Sequence, residues 1–427
     1  MVVGAGILKT TPLAAANLPQ PLLLMLAWGA GGLLSLAGAL CFAEMAGAFP
    51  DAGGDYFFLR SAYGHRIGFL FAWSRFAVIH TGSMALLAFV LGDYLNELLH
   101  LGLHGSALLA ALTISALVLV NLAGIRVGVN TQTTLMAIVL AGLSAVVVAG
   151  IALSLRGVPP MQPQLAHPSG GLHVGQSLVF IFLAYGGWSD AATLSAEMND
   201  AEHGIRRALV LGMSIVTGLY LLVNWAFLRG LGLGGLVASE APASDLMLRA
   251  FGPAGQVLIV GCVAITSITV MNALLIAGAR TTYAVARDTP CLGRLGDWHV
   301  ERGTPRSAVV AIGVVALVLV AFGTWTRQGF STMVDYLSPV YWLFLTLSGG
   351  ALFVLRRRFP DAPRPFRVPW YPWLPLLFMA SSAYVLVSSV LYTRLGAMAG
   401  LAVLAAGPVL LAALQWFVGQ RAATQQE

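Results

Sequence analysis

The sequence has little charge and little cysteine. Only 9% of its 427 residues are charged and 58% are hydrophobic, whereas soluble domains carry about 25% charged residues. No soluble core could bury this much apolar surface, so the main solvent of the chain must be lipid. The three cysteines, Cys41, Cys262 and Cys291, have no paired spacing, which excludes a disulfide framework and a cysteine-ligated metal.

Motifs for catalysis and nucleotide binding are also missing. The chain has no P-loop, no HExxH, no GxSxG and no Cys/His cluster. We therefore expect no enzyme activity, no metal and no cofactor, with sodium or proton gradients, or exchange, as the driving force. The basic residues lie between apolar runs and form no stripe, which argues against nucleic acid as a partner.

Long apolar runs make up most of the sequence. A run of about 20 residues crosses a bilayer as a helix. The sequence predicts an all-α membrane protein of twelve spans, the first one truncated, at 1–14, 22–48, 67–98, 105–123, 131–155, 173–198, 207–231, 253–286, 306–324, 331–355, 372–393 and 396–418.

Basic residues alternate between the two sides of these spans. One set of loops and the C-terminal tail hold 16 of them, the opposite loops hold six including the only lysine, Lys9, and Arg75 lies within a span. The positive-inside rule places the richer side, and the C-terminus, in the cytoplasm. We expect a multi-pass protein of the inner (cytoplasmic) membrane.

Two apolar runs are interrupted near their centres. LAYGGWSDA at 183–191 and VGAGIL at 3–8 carry glycines where a membrane helix should continue. Five apolar runs begin with each, so the second half would be inverted relative to the first. Paired interruptions at corresponding positions indicate the site of an inverted-repeat transporter, although glycines in membrane helices also serve close packing.

An interruption inside the bilayer exposes backbone groups that must find partners. Amides at the start of a half-helix suit a carboxylate, and unwound carbonyls suit an ammonium. Glycine allows the required dihedrals and a close approach of the ligand. Two facing interruptions therefore form a cradle for a zwitterion.

At these residues the chain resembles the amino acid–polyamine–organocation (APC) superfamily, and most closely its bacterial members akin to the L-type amino acid transporters. GAGIL is similar to the GSGIF of the first helix in that family, and LAYGGW to its FAYGGW. Three further stretches carry the resemblance: AGALCFAEMAGAFPDAGGDYFFLRSAYG at 37–64, SAEMNDAEHGIRRAL at 195–209 and RPFRVPWYPWLP at 364–375. The resemblance implies a leucine-transporter-type fold with a 5+5 inverted repeat, two extra C-terminal helices and alternating access for an amino acid.

The resemblance also implies which residues bind the substrate. The amides of Gly4, Ala5 and Gly6 would hold its carboxylate. Its amine would be held by the carbonyls of Val2, Leu183, Ala184 and Gly186. Leu183 stands where the family often has an aromatic gate, and Ala5 replaces a serine, which removes one hydroxyl contact.

Two departures from the family pattern affect coupling and the start of the chain. The helix-5 lysine of many sodium-independent members is absent near Ala137, so sodium or another charge would drive transport. The oxygens of Thr266, Ser267, Thr269 and Asn272 suit sodium but equally suit hydrogen bonds between helices. Family members have a dozen or more residues before the first glycine motif, so we expect a misplaced start codon or a fragment.

Ionisable residues within the spans are functional candidates. Asp190 could attract an ammonium or carry a proton, or it could cap the helix that follows. Arg75 and His80 are five residues apart, so we expect them on different faces of their helix, with His80 packed. We expect Glu44 and Glu197 to pair with arginines of the inner loops, and Trp188 to pack or to wall the site.

These observations predict one membrane domain. Its first repeat would span 1–156, its second 173–355 and the additional helices 372–418. We expect a carrier of neutral amino acids in the lipid bilayer, working as a symporter or an exchanger. A carrier of cationic amino acids or polyamines, a non-transporting amino acid sensor and a passive channel remain alternatives, and the oligomeric state is open.

Overall fold

The computed structural model describes residues 6–51, 53–124, 129–161, 173–190, 201–287, 305–392 and 395–424. Within these ranges the chain is helical and contains no strand. A π-helical segment, Arg75–His80, joins α4 to α5. The α-helices are α1 (Ile7–Ala15), α2 (Pro21–Ala48), α3 (Asp55–Tyr63), α4 (His65–Ser74), α5 (Thr81–Leu99), α6 (Gly105–Leu122), α7 (Val129–Leu155), α8 (Val174–Tyr185), α9 (Ala201–Ala238), α10 (Pro242–Arg287), α11 (Arg306–Trp325), α12 (Gly329–Arg358), α13 (Trp373–Tyr392) and α14 (Leu395–Thr424).

Nine helices of the described ranges are long and apolar enough to cross a bilayer. They correspond to nine of the twelve predicted spans, and the second of the nine, His65–Leu99, runs through α4, the π-helical segment and α5. The remaining predicted spans correspond to α1, α8 and α14. α1 and α8 have only nine and 12 residues. α8 ends at the interruption that the sequence predicts, and residues 1–5, which precede α1, lie outside the described ranges. The described residues thus establish an all-helical membrane protein.

Glycines break two of the long helices where the sequence predicts the end of one span and the start of another. In α9, Gly232 has a φ of 69°, and in α10, Gly252 has a φ of 70°. Both values lie in the left-handed region, which glycine adopts without steric cost. These breaks lie next to the predicted boundaries at 231 and 253, although the two candidate spans run on to Ala238 and begin at Pro242.

Small residues bring α2 close to the helices that frame the interruption. A Cβ atom on Gly31 would lie 2.6 Å from Cγ2 of Ile181, and one on Gly32 would lie 2.4 Å from Cγ2 of Thr217. Membrane helices pack this closely only where residues are small. Next to these contacts the Tyr185 hydroxyl donates to the Trp28 carbonyl at 3.0 Å, which fixes the last turn of α8.

The only lysine lies inside a helix and makes an ion pair. Lys9 belongs to α1, and its Nζ lies 2.7 Å from Oδ2 of Asp93 on α5 and 2.7 Å from the carbonyl oxygen of Glu240. Assigning Lys9 to a loop was therefore wrong. Beside it the Tyr94 hydroxyl donates to the Leu8 carbonyl at 3.0 Å, so α1, α5 and the start of α10 are tied together at this end.

Candidate functional site

A central cavity lies where α1 begins and α8 ends. Its volume is about 170 Å³, on a scale on which one water molecule needs about 10–15 Å³. Its walls come from α1, α3, α4, the π-helical segment, α5, the end of α8, α10 and α12. The cavity is therefore large enough for a small organic ligand, and it includes the five predicted binding residues that the structure describes: Gly6, Leu183, Ala184, Gly186 and Asp190.

The described start of α1 lies a short distance from the end of α8. A Cβ atom on Gly6 would lie 3.9 Å from the Cα of Ala184. Helical bonding in α1 starts at Gly6, whose carbonyl accepts hydrogen bonds from the amides of Lys9 and Thr10 at 3.1 and 2.9 Å. Val2, Gly4 and Ala5 lie outside the described residues. The structure thus brings together the start of one half-helix and the end of the other.

The end of α8 is built by two adjacent glycines. Gly186 leaves the helix with a ψ of 169°, and Gly187 has a φ of 91°, which favours glycine. The carbonyl of Leu183 accepts the Gly186 amide at 3.1 Å, and the carbonyl of Ala184 accepts the Tyr220 hydroxyl at 3.2 Å. A carbonyl oxygen has two lone pairs, so each can still accept one hydrogen bond from a ligand.

Asp190 forms an ion pair inside the cavity. Its Oδ1 lies 2.8 Å from Nη2 of Arg75, and the exposed fractions of the two side chains are 37% and 12%. The guanidinium therefore compensates the charge of this carboxylate. Residues 191–200 lie outside the described ranges, so the predicted capping role of Asp190 stays a prediction.

Arg75 also contacts His80, contrary to the expectation from the sequence. Nε and Nη2 of Arg75 lie 3.2 and 3.0 Å from Nε2 of His80. Residues five apart diverge on an α-helix, but the segment that contains them is π-helical, with i→i+5 hydrogen bonding. The expectation was wrong because it assumed α-helical geometry throughout. Since a guanidinium only donates, Nε2 of His80 must accept, which assigns the neutral ring with its proton on Nδ1.

Four buried polar atoms of the cavity-lining residues have no hydrogen-bond partner among the described residues: Thr10 Oγ1, Asp55 Oδ1, His80 Nδ1 and Tyr341 Oη. Buried polar atoms in folded proteins are nearly always paired. Unpaired atoms that border one cavity indicate that a polar ligand or water completes their bonding. Of these residues, sequence reasoning assigned a role to none except His80, which it placed in packing.

The sequence carried a signal for two of these residues. Asp55 lies in the stretch 37–64 that carried the family resemblance, but reasoning from span charges ignored it because it falls between two spans. Thr10 follows the first interruption by one helical turn. Tyr341 has no local signal, because only the fold brings its hydroxyl to 3.2 Å from the position of a Cβ on Gly186.

The four polar residues that were candidates for an ion site do not line this cavity. Thr266 and Thr269 donate to carbonyls one turn earlier in α10, and the side-chain oxygen of Asn272 accepts from Nδ2 of Asn121 at 2.7 Å. Ser267 is buried and its hydroxyl has no partner among the described residues. Three of the four thus have partners within or between helices, and their role in ion coupling stays a prediction.

Two further predicted roles can be placed. Glu44 accepts two hydrogen bonds from Arg356, with Nε–Oε1 and Nη2–Oε2 distances of 2.7 and 2.6 Å, so its predicted pairing with an arginine is confirmed. Glu197 lies outside the described residues. Trp188 is 3% exposed and packs edge-on against Phe42 at 5.1 Å, which supports its packing role.

Comparisons with known proteins show the family of the chain. The family model described as amino acid permease matches residues 1–418. The b(0,+)-type amino acid transporter 1 of Rattus norvegicus is 28% identical over 91% of this chain and 80% of its own length. The serine/threonine exchanger SteT of Bacillus subtilis (strain 168) is 26% identical over 91% and 88%, and the human large neutral amino acids transporter small subunit 2 is 26% identical over 97% and 78%. The chain therefore belongs to the amino acid permease family of the APC superfamily.

Proposed function

We propose that the protein transports neutral amino acids across the cytoplasmic membrane by alternating access, as an exchanger or a symporter. The observation that carries this proposal is the meeting of the described start of α1 and the end of α8 at a cavity with unpaired polar atoms. The amide end at Gly6 suits a carboxylate, and the carbonyls of Leu183, Ala184 and Gly186 suit an ammonium. Relatives named as amino acid transporters support the same reading.

The remainder of the cavity favours a neutral side chain. Its wall is largely apolar and includes Phe71, Ile79, Leu274 and Phe344. Asp190 is compensated by Arg75 at 2.8 Å, so a cationic side chain gains little from it. An uncharged substrate would bury its side chain against the apolar wall without leaving either member of the pair unpaired.

Alternating access requires that one side of the cavity close while the other opens. The ties between α1, α5 and α10 at Lys9, Tyr94 and Glu240 would form the closed seal of the outer side. The arginine asymmetry of the loops places the opposite side, with the C-terminus, in the cytoplasm. We propose twelve spans arranged as inverted repeats at 1–156 and 173–355, with 372–418 as additional helices.

A second candidate, transport of cationic amino acids, is favoured by one observation. Asp55 borders the cavity with a buried carboxylate oxygen that has no partner among the described residues. A cationic side chain could supply that partner. Competition by arginine, but not by alanine or leucine, would support this candidate over the first.

Counterflow in proteoliposomes tests the proposal. Vesicles loaded with alanine, leucine or arginine face a trace of labelled substrate outside, with and without sodium. Saturable exchange of alanine or leucine is the expected result. Folded protein that exchanges no amino acid would refute it, and sodium dependence would show which ion drives transport.

A matched pair of glycine variants controls for the site. A Cβ on Gly186 meets Leu183 O at 3.0 Å inside the cavity, whereas a Cβ on Gly218 of α9 meets nothing within 4 Å. We expect Gly186→Val to abolish counterflow and Gly218→Val to retain it. Equal counterflow activity in the two variants would contradict the placement of the substrate site at Gly186.

A further inference from the structure

The charges of the described residues that border the cavity do not balance. Two carboxylates, Asp55 and Asp190, and one guanidinium, Arg75, line it, and the hydrogen bonds of His80 assign a neutral ring. With both acids ionised the cavity would hold one excess negative charge. An uncompensated charge in a poorly solvated site is costly, so one acid must take up a cation or a proton.

Asp190 does not need that compensation. Its Oδ1 lies 2.8 Å from Nη2 of Arg75, and a partner at this distance favours the ionised carboxylate. The same guanidinium also donates hydrogen bonds to Nε2 of His80. Asp190 and Arg75 thus form a fixed neutral pair, and the excess charge belongs to Asp55.

Asp55 is placed to exchange a proton with the cavity. It is the first residue of α3, a short helix between two spans, and it follows Gly54, which has a φ of 49°. The residue is 8% exposed, borders the cavity, and its Oδ1 has no partner among the described residues. Burial, as the largest cause, raises the pKa of Asp55 to about 7, although the Arg75 charge opposes the shift.

The other ionisable groups of the described elements around α3 do not form a hydrogen bond with Oδ1 of Asp55. On α4, which packs against α3, His65 and Arg66 are exposed at the first turn. α12 contributes the Tyr341 hydroxyl to the same cavity. Its charged residues lie near its two ends: Asp335, Arg356, Arg357 and Arg358.

We propose that Asp55 carries the proton that is co-transported with each amino acid. The proposal rests on the proposed function and names its coupling ion. When the outer side is open, the carboxylate takes a proton from water, and the cavity with its zwitterionic substrate becomes neutral. When the inner side is open, the proton returns to water with substrate release. No other bond changes.

Steady-state accumulation tests the proposal, because it is a ratio that does not depend on the amount of active protein. Vesicles carry an inward pH gradient of one unit, and equal potassium with valinomycin holds the membrane potential at zero. One proton per substrate predicts an accumulation of about tenfold in the wild type. In Asp55→Asn, which keeps the shape and loses the titration, the ratio should fall to one.

Asp51→Asn is the matched control. Asp51 lies four residues earlier in the same loop, and its Oδ1 accepts the Gly53 amide at 2.7 Å. Asparagine keeps that acceptor, so Asp51→Asn should accumulate substrate as the wild type does. Accumulation lost in Asp190→Asn but kept in Asp55→Asn would overturn the assignment.

The same vesicles separate failure of this proposal from failure of the proposed function. Wild-type protein that exchanges amino acids at equal pH but shows no accumulation under the gradient would refute the proton role and leave transport intact. If Asp55→Asn does not fold, a trapped pH dye in wild-type vesicles replaces it. Substrate-dependent acidification of the lumen supports the proposal, and its absence during net uptake overturns it.

Discussion

The ion pair between Arg75 and Asp190 should be energetically coupled. At 2.8 Å and an effective dielectric constant of about 20, the gross attraction is about 6 kcal/mol. Asp190 is 37% exposed, and desolvation of the guanidinium opposes the gain, so we expect a net coupling energy of about 1–3 kcal/mol.

A double-mutant cycle measures this coupling. Arg75→Gln removes the charge and the two contacts to His80, and should cost about 2–4 kcal/mol because it leaves Asp190 without its cation. Asp190→Asn keeps an oxygen acceptor and should lower the free energy of unfolding by a smaller amount. The double variant should lose less free energy of unfolding than the two single variants lose together. The difference is the coupling energy.

The assay is denaturant unfolding in mixed micelles, followed by tryptophan fluorescence. Arg75→Lys is the conservative control: it keeps the charge but loses the forked donors, so it should retain part of the coupling with Asp190. Additive effects of Arg75→Gln and Asp190→Asn, within about 0.5 kcal/mol, would refute the claim that the pair compensates charge in the cavity.

Three further predictions follow from other contacts. Lys9→Met removes the ion pair with Asp93 and should weaken the outer seal by about 1–2 kcal/mol, a factor of about 5–30 in population; hydrogen exchange in α1 should rise, whereas Lys9→Arg should keep its protection. Tyr341→Phe should weaken substrate affinity without loss of stability, because its hydroxyl has no partner among the described residues; unchanged affinity in counterflow would exclude it from the site. Because burial raises the pKa of Asp55 to about 7, native protein binds this proton more tightly than unfolded protein, so its contribution to stability is lost as pH rises through about 7; unfolding scans should show a flatter pH profile in Asp55→Asn.

Composition and glycine placement predicted most of the fold. Apolar runs of span length are read directly from sequence, and the helix breaks at Gly232 and Gly252 lie next to two of the predicted span ends. The glycines at 186 and 187 also predicted where α8 ends. These features are local, because the backbone conformation of glycine and the length of an apolar run do not depend on distant residues.

The charged part of the site could not be predicted in the same way. The Arg75–His80 contact depends on a π-helical segment, and no residue pattern in the sequence distinguishes that segment from the α-helix around it. Asp190 and Arg75 are 115 positions apart in the chain, so no local sequence pattern predicts their contact. Local patterns predicted the backbone cradle, whereas the partners of its charges required the fold.

These two kinds of feature have separate roles in the proposed cycle. Backbone groups at Gly6 and Gly186 can bind any α-amino acid, because they would form hydrogen bonds with the ammonium and carboxylate that all amino acids share. The side chains at 55, 75 and 190 instead set the charge of the cavity, and therefore which ion must accompany the substrate. Loss of the lysine expected near Ala137 need not abolish coupling if an acid elsewhere in the cavity takes up the proton. Substitutions at the glycines should therefore remove transport of every substrate, while substitution of Asp55 should separate exchange from accumulation.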